Sequence, residues 1–144
     1  MGSRTYNQDA ELIFHDGAAA ITADSDGQVA GADKIHDVGQ ARFEAVMLID
    51  VSAIDIVSND ERYVVLVQGS SSPTFASNIE NLAAIELGAT EVRSGGAKDS
   101  TIGRYEMPFC NEQDSEIYRY LRIYVDVAGT TPSLTFKAWA STSY

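Results

Sequence analysis

A chain of 144 residues, 44% apolar and 22% charged, suits one globular domain and excludes wholesale disorder. Its net charge of −11 argues against nucleic acid as a main partner, because phosphate binding needs clustered Lys and Arg. The single cysteine, Cys110, excludes an internal disulfide. With neither a signal-like N-terminus nor about 20 consecutive apolar residues, the chain is expected to be soluble, made in a reducing cytoplasm and without a membrane partner.

Residues 1–40 carry seven acids against Arg4 and Lys34, with short apolar pieces (Leu12-Ile13-Phe14, Ala18 to Ile21) between Asp, Ala and Gly. Gly17, Gly27, Gly31 and Gly39 punctuate them at turn-like intervals. The segment reads as extended chain with one or two short strands, and residues 1–20 as an N-terminal arm on a single 1–144 domain. From Arg42 the β signal strengthens. In RFEAVMLID, Phe43, Ala45, Met47 and Ile49 share one face, while Glu44 and Asp50 lie on the other beside Val46 and Leu48. The Val/Leu run from Tyr63 to Val67 fits a strand covered on both faces, stopped by Gly69–Pro73.

Asn78–Leu87 fits a strand or a helix, and the strand is preferred. Residues 88–100 read as a glycine-rich loop, Ile102–Phe109 as a short strand and Asn111–Glu116 as a polar turn. Two alternating strands, 118–128 and 133–141, then flank Gly129-Thr130-Thr131-Pro132, a connection that fits a hairpin. Leu121, Ile123, Val125 and Val127 form the core face. Tyr118, Tyr120, Arg122 and Tyr124 point the other way, in the same parity as Thr135, Lys137, Trp139 and Ser141 across the hairpin. Short strands separated by turns, with no convincing amphipathic helix, predict an all-β antiparallel sandwich.

Signals for chemistry are sparse. His15 and His36 show no H-x-H or H-E-x-x-H spacing, so no metal is expected. Asp24-Ser25-Asp26-Gly27 misplaces the glycine of a calcium loop and has Ile35 where the bidentate Glu belongs, so it reads as a turn. Gly69-Ser70-Ser71 is not a nucleophile elbow, and Cys110 reads as a small buried hydrophobe rather than a thiol activated by His36. Glu112, Asp114 and Glu116 carry no geometry that singles out an acid–base pair. Neither G-x-G-x-x-G nor a P-loop is present. No catalytic residue and no cofactor are expected, so the protein is expected not to be an enzyme. Tyr118, Tyr120, Arg122, Tyr124 and Trp139 are instead the candidate contact residues, since Tyr, Trp and Arg dominate binding hot spots. Arg119 falls on the core parity and is expected to pair with a carboxylate at the strand start.

The runs GRYEMPF (103–109), YRYLRIYVDVAGTTPS (118–133) and FKAWA (136–140) carry a resemblance, with DGQVAGADKIHDVG (26–39), MLIDVSAID (47–55) and VVLVQGSSSPTF (64–75) fitting the same pattern. Over roughly residues 20–141 the chain resembles the small capsid cement or decoration proteins of short-tailed bacteriophages, the family related to the Bordetella phage cement protein. The resemblance implies a jelly-roll β-sandwich that assembles as a homo-oligomer, a trimer in preference to a dimer. It implies a place on the outer capsid surface of the virion, bound to the major capsid protein and bridging capsomers. No catalytic residues come with it. The alternative is a carbohydrate-binding jelly roll for host-surface glycans, with Trp139 and Tyr124 as the stacking platform.

Overall fold

The computed structural model describes residues 10–142. After a 3-10 turn (Ala10–Leu12), the short strands β1 (Ile13–His15), β2 (Ser25–Asp26), β3 (Gln28–Val29), β4 (Ala32–Asp33) and β5 (His36–Asp37) lead into longer ones. These are β6 (Glu44–Ile54), β7 (Arg62–Ser70), β8 (Ile79–Gly88) and β9 (Gly103–Cys110). The small ladder β10 (Glu112–Gln113) and β11 (Glu116–Ile117) precedes β12 (Tyr120–Ala128) and β13 (Leu134–Ser141). The strand preferred for Asn78–Leu87 is thus present as β8, one residue later at each end. Of the arm expected over residues 1–20, residues 1–9 lie outside the described residues. Ile13–His15 is an integral strand whose Phe14 is fully buried.

Two antiparallel sheets face each other. The first has the order β1-β13-β6-β9. In the second, β12 takes β2 and β5 on one side and β7 then β8 on the other. The chain changes sheet between β1 and β2, β5 and β6, β6 and β7, β8 and β9, β9 and β12, and β12 and β13. That path is a jelly roll. Alternation buries Met47, Ile49, Phe136 and Ala138 of the first sheet against Val65, Val67, Leu121, Ile123 and Val125 of the second.

Both ends are tied by buried polar groups. At one, the Tyr63 hydroxyl donates to the Asp55 carbonyl (2.7 Å) and accepts from the Ser133 amide (2.8 Å), joining two inter-sheet connections. At the other, fully buried Asn111 accepts from the Phe43 amide (2.7 Å) and donates to the Ala41 and Tyr118 carbonyls (3.1 Å each). A polar turn by pattern, Asn111 supplies the bonds that buried backbone requires. The long edge strands are defended against pairing: β8 carries a bulge opposite Val67–Gln68, and β9 contains Pro108.

The last two strands are not a hairpin. β12 pairs with β7 from Tyr120↔Ser70 to Ala128↔Arg62, and β13 pairs with β6 from Leu134↔Ile54 to Ser141↔Val46. Residues 129–133 therefore arch from one sheet to the other. The pairings with distant strands decide this path, and the arch accommodates it: Gly129 has φ +123°, and a Cβ there would stand 2.7 Å from Glu61 Cα. Asp60 also receives the Thr130 amide (3.0 Å), which fixes the arch on the β6–β7 connection. The Asp24–Gly27 turn expected from sequence is likewise corrected. Ser25–Asp26 is a strand on β12, and Asp24 accepts the Val127 amide (2.7 Å).

Candidate interaction surface

The arch divides the candidate residues between two outer faces. Tyr120, Arg122 and Tyr124 share the outer face of the second sheet, each half-buried. Their cross-strand neighbours on β7 are Ser70, Gln68 and Leu66, and Asp126 opposes Val64. Trp139 lies on the outer face of the first sheet, beside Ile13 on β1 and Leu48 on β6. Trp139 and Tyr124 therefore stand on opposite sides of the molecule and cannot form one stacking platform.

Arg122 is the hub of the second sheet's outer face. Its Nε donates to Gln68 Oε1 (2.9 Å), and Gln68 Nε2 donates onward to Asn81 Oδ1 (2.9 Å) on β8. One terminal nitrogen pairs with Asp26 Oδ1 at 3.2 Å. The guanidinium lies 4.3 Å from the Phe75 ring centre and 5.4 Å from that of Tyr124, within cation–π range. Its side chain is only 14% exposed, so it organises the surface more than it projects from it. Burial raises the Asp26 carboxyl above its ordinary pKa despite the pull of Arg122, with nearby Asp33 adding to the rise. Burial also raises the Tyr124 phenol, helped by Asp24, Asp26 and Asp126.

Phe75 carries no sequence periodicity, yet it completes this hub. The loop between β7 and β8 bends at Phe75 (φ +54°) and Asn78 (φ +54°) and folds the ring onto the sheet. Ser70 Oγ fixes that loop, donating to the Ser77 carbonyl (2.7 Å) and accepting from the Ser72 amide (3.0 Å). The one available signal was a lone phenylalanine inside the polar run SSSPTF. The run from Tyr63 to Val67 fits a strand covered on both faces, but the structure leaves Val64 and Leu66 half-buried beside Tyr124. Apolar side chains are common on accessible protein surface, so an unbroken apolar run does not by itself require a covering layer on both faces.

Tyr118 departs from its parity partners. It precedes β12 and is 4% exposed. The space a Gly69 side chain would fill is taken by Tyr118 Cβ (2.7 Å) and Leu82 Cδ1 (2.8 Å), and Gly69 sits opposite inward-facing Leu121. Its hydroxyl reaches Glu116 Oε2 at 3.3 Å. Arg119 pairs bidentately with Asp37 (2.8 and 2.9 Å), the carboxylate partner expected for it.

On the first sheet's outer face, Trp139, Val46 and Leu48 are 3%, 3% and 0% exposed. The Arg104 guanidinium stands 5.1 Å from the Trp139 ring centre, held by Asp50 through bonds of 2.8 and 3.0 Å. Arg104 holds the Asp50 carboxyl below its usual range. Among the described residues, no group of three or more His, Cys, Asp or Glu converges as a metal site, and no helix is long and apolar enough to cross a membrane. Two large apolar residues missed from sequence, Val57 and Ile102, project from connections at one end of the sandwich at 86% and 64% exposure.

No protein-family model and no curated protein matches the chain. Among solved structures, it is similar to the CBM22-1–GH10 modules of the Clostridium thermocellum xylanase 10B complexed with xylohexaose. The TM-score is 0.40 at 10% identity, covering 100% of this chain and 29% of that one.

Proposed function

We propose that this protein is a non-enzymatic virion structural protein, a capsid cement or decoration protein that binds the outer surface of a phage head and stabilises contacts between capsomers. One observation carries the reading: a rigid sheet presents Tyr120, Tyr124, Leu66 and Val64 half-open around the braced Arg122. The distributed resemblance to the phage cement family supports it. Aromatic and aliphatic groups pre-organised on a sheet lose little entropy on docking, which suits a hot-spot patch. The partners are the major capsid protein and further copies of this chain. Repetition over a symmetric shell makes each contact multivalent, so modest affinity at one site suffices.

Trp139 and Tyr118 are assigned away from the contact, because both are buried within the protomer. Sedimentation tests the reading. Purified protein is expected to run as an oligomer at micromolar concentration and to pellet with expanded heads of a phage lacking its own copy. A monomer that stays in the supernatant would overturn the proposal.

A further inference from the structure

Two backbone groups of Gln28 are held by His15, the last residue of β1, and by Asp16, which follows it. The Gln28 amide donates to His15 Nδ1 (3.0 Å), and the Gln28 carbonyl accepts the Asp16 amide (2.9 Å). Asp16 Oδ2 takes the Ala30 amide as well (2.8 Å). These three bonds hold the small β3–β4 ladder, Gln28↔Asp33 and Val29↔Ala32, against β1. An imidazole nitrogen that accepts an N–H must be unprotonated, so His15 is the neutral tautomer with its proton on Nε2. A second proton on Nδ1 would set N–H against N–H.

The ring has little means of accommodating that charge. His15 is 4% exposed and packs on Phe136 at 4.5 Å between ring centres. No described group bonds its buried Nε2. Burial lowers its pKa, and the smaller opposing pull comes from Asp16. Of the other charges nearby, Asp24 lines a cavity of about 280 Å³ together with His15, Asp16 and Gln28. On β4, Asp33 is taken by Gln28 Nε2 (3.2 Å). On β13, Lys137 stands in register opposite Asp50, whose carboxylate is held by Arg104. On β5, His36 is also buried and shifted down, but its Nε2 lies 2.8 Å from the Ile13 carbonyl and must donate there. Protonation leaves that bond intact, so of the two histidines His15 is the one whose accepted bond a proton breaks.

We propose that His15 is an acid-sensitive latch: when its imidazole takes up a proton, residues 28–33 detach from β1 while the sandwich stays folded. Detachment opens the cavity floored by His15 and lined by Thr22, Asp24 and Ser25. The sign follows from linkage. A histidine whose pKa is depressed in the closed state stabilises that state above about pH 6.5, the free imidazole value, and loses the stabilisation as pH falls below it.

Amide hydrogen exchange on the whole protein, expressed as protection relative to intrinsic rates, tests this. Between pH 7.5 and pH 5 the Gln28 and Ala30 amides are expected to lose up to about thirtyfold in protection, while Ile123 and Val125 keep theirs. His15→Asn, which offers an acceptor oxygen at every pH, should abolish the pH dependence and stay protected at pH 5. His15→Phe keeps a ring against Phe136 but has no acceptor, and should leave Gln28 poorly protected at both pH values. His36→Gln should behave as wild type. The proposal is overturned if wild-type Gln28 protection is unchanged by pH, if His15→Asn shows the wild-type loss, or if Ile123 and Val125 lose protection by the same factor.

Discussion

On the outer face of the first sheet, Trp139 is 3% exposed beside Arg104, whereas on the outer face of the second, Tyr124, Leu66 and Val64 stay half-open around Arg122. Each face pairs an arginine with an aromatic ring and a carboxylate. The uses differ. Asp50 and Arg104 brace a tryptophan that is already buried with Val46 and Leu48, so its area contributes to stability. Asp26, Gln68 and Phe75 brace Arg122 itself, and the neighbouring rings keep surface available for contact. Residue type alone does not distinguish a contact ring from a structural one; what lies over it does.

Substitutions can break that comparison. Trp139→Ala should cost most, about 3–5 kcal/mol in urea denaturation, because it empties a buried site. A loss under about 1 kcal/mol would place Trp139 with the open face instead. Phe75→Ala should cost about 2 kcal/mol by exposing the Arg122 hub. Phe75→Gly should cost about 0.5–1 kcal/mol less than Phe75→Ala, since glycine accepts the positive φ. If Ala proves the milder change, the bent loop is not what places the ring.

Tyr124→Ala should change stability by no more than about 1 kcal/mol, yet reduce co-sedimentation with expanded heads. A severe folding defect would contradict the division of roles. Asp50→Asn should be smallest, about 0.5 kcal/mol at pH 7, because both partners are well exposed to solvent. The Asp50 carboxyl is depressed when folded, so its contribution is present above about pH 4 and lost as pH falls through the folded value. The difference between wild type and variant in denaturation should therefore be smaller at pH 2.5 than at pH 7.

Much of the second sheet was legible because alternation is a local property: Leu121, Ile123 and Val125 announce their inward face, and β12 falls within the 118–128 pattern, beginning two residues late at Tyr120. The path between sheets was not. Gly129–Pro132 fits a hairpin and an arch equally well in sequence. The choice is made by β12 pairing with β7 and β13 with β6, each far away along the chain. A hint existed in VMLI, where Val46 and Leu48 are apolar on the face expected to be polar. In β6 that double apolar parity goes with a buried outer row, to which Trp139 belongs, whereas in β7 the same pattern leaves Val64 and Leu66 half-buried. Phe75 and Asn111 were illegible because their roles come from a loop fold and a buried junction, neither of which leaves a periodic trace.

A side-chain-resolution reconstruction of phage heads decorated with this protein tests the central claim most directly. The account predicts Tyr120, Leu66 and Tyr124 buried against a capsid subunit or a neighbouring copy, with Trp139 packed inside its own protomer. A bound protein whose second-sheet face is open to solvent, or a shell without added density, would contradict it.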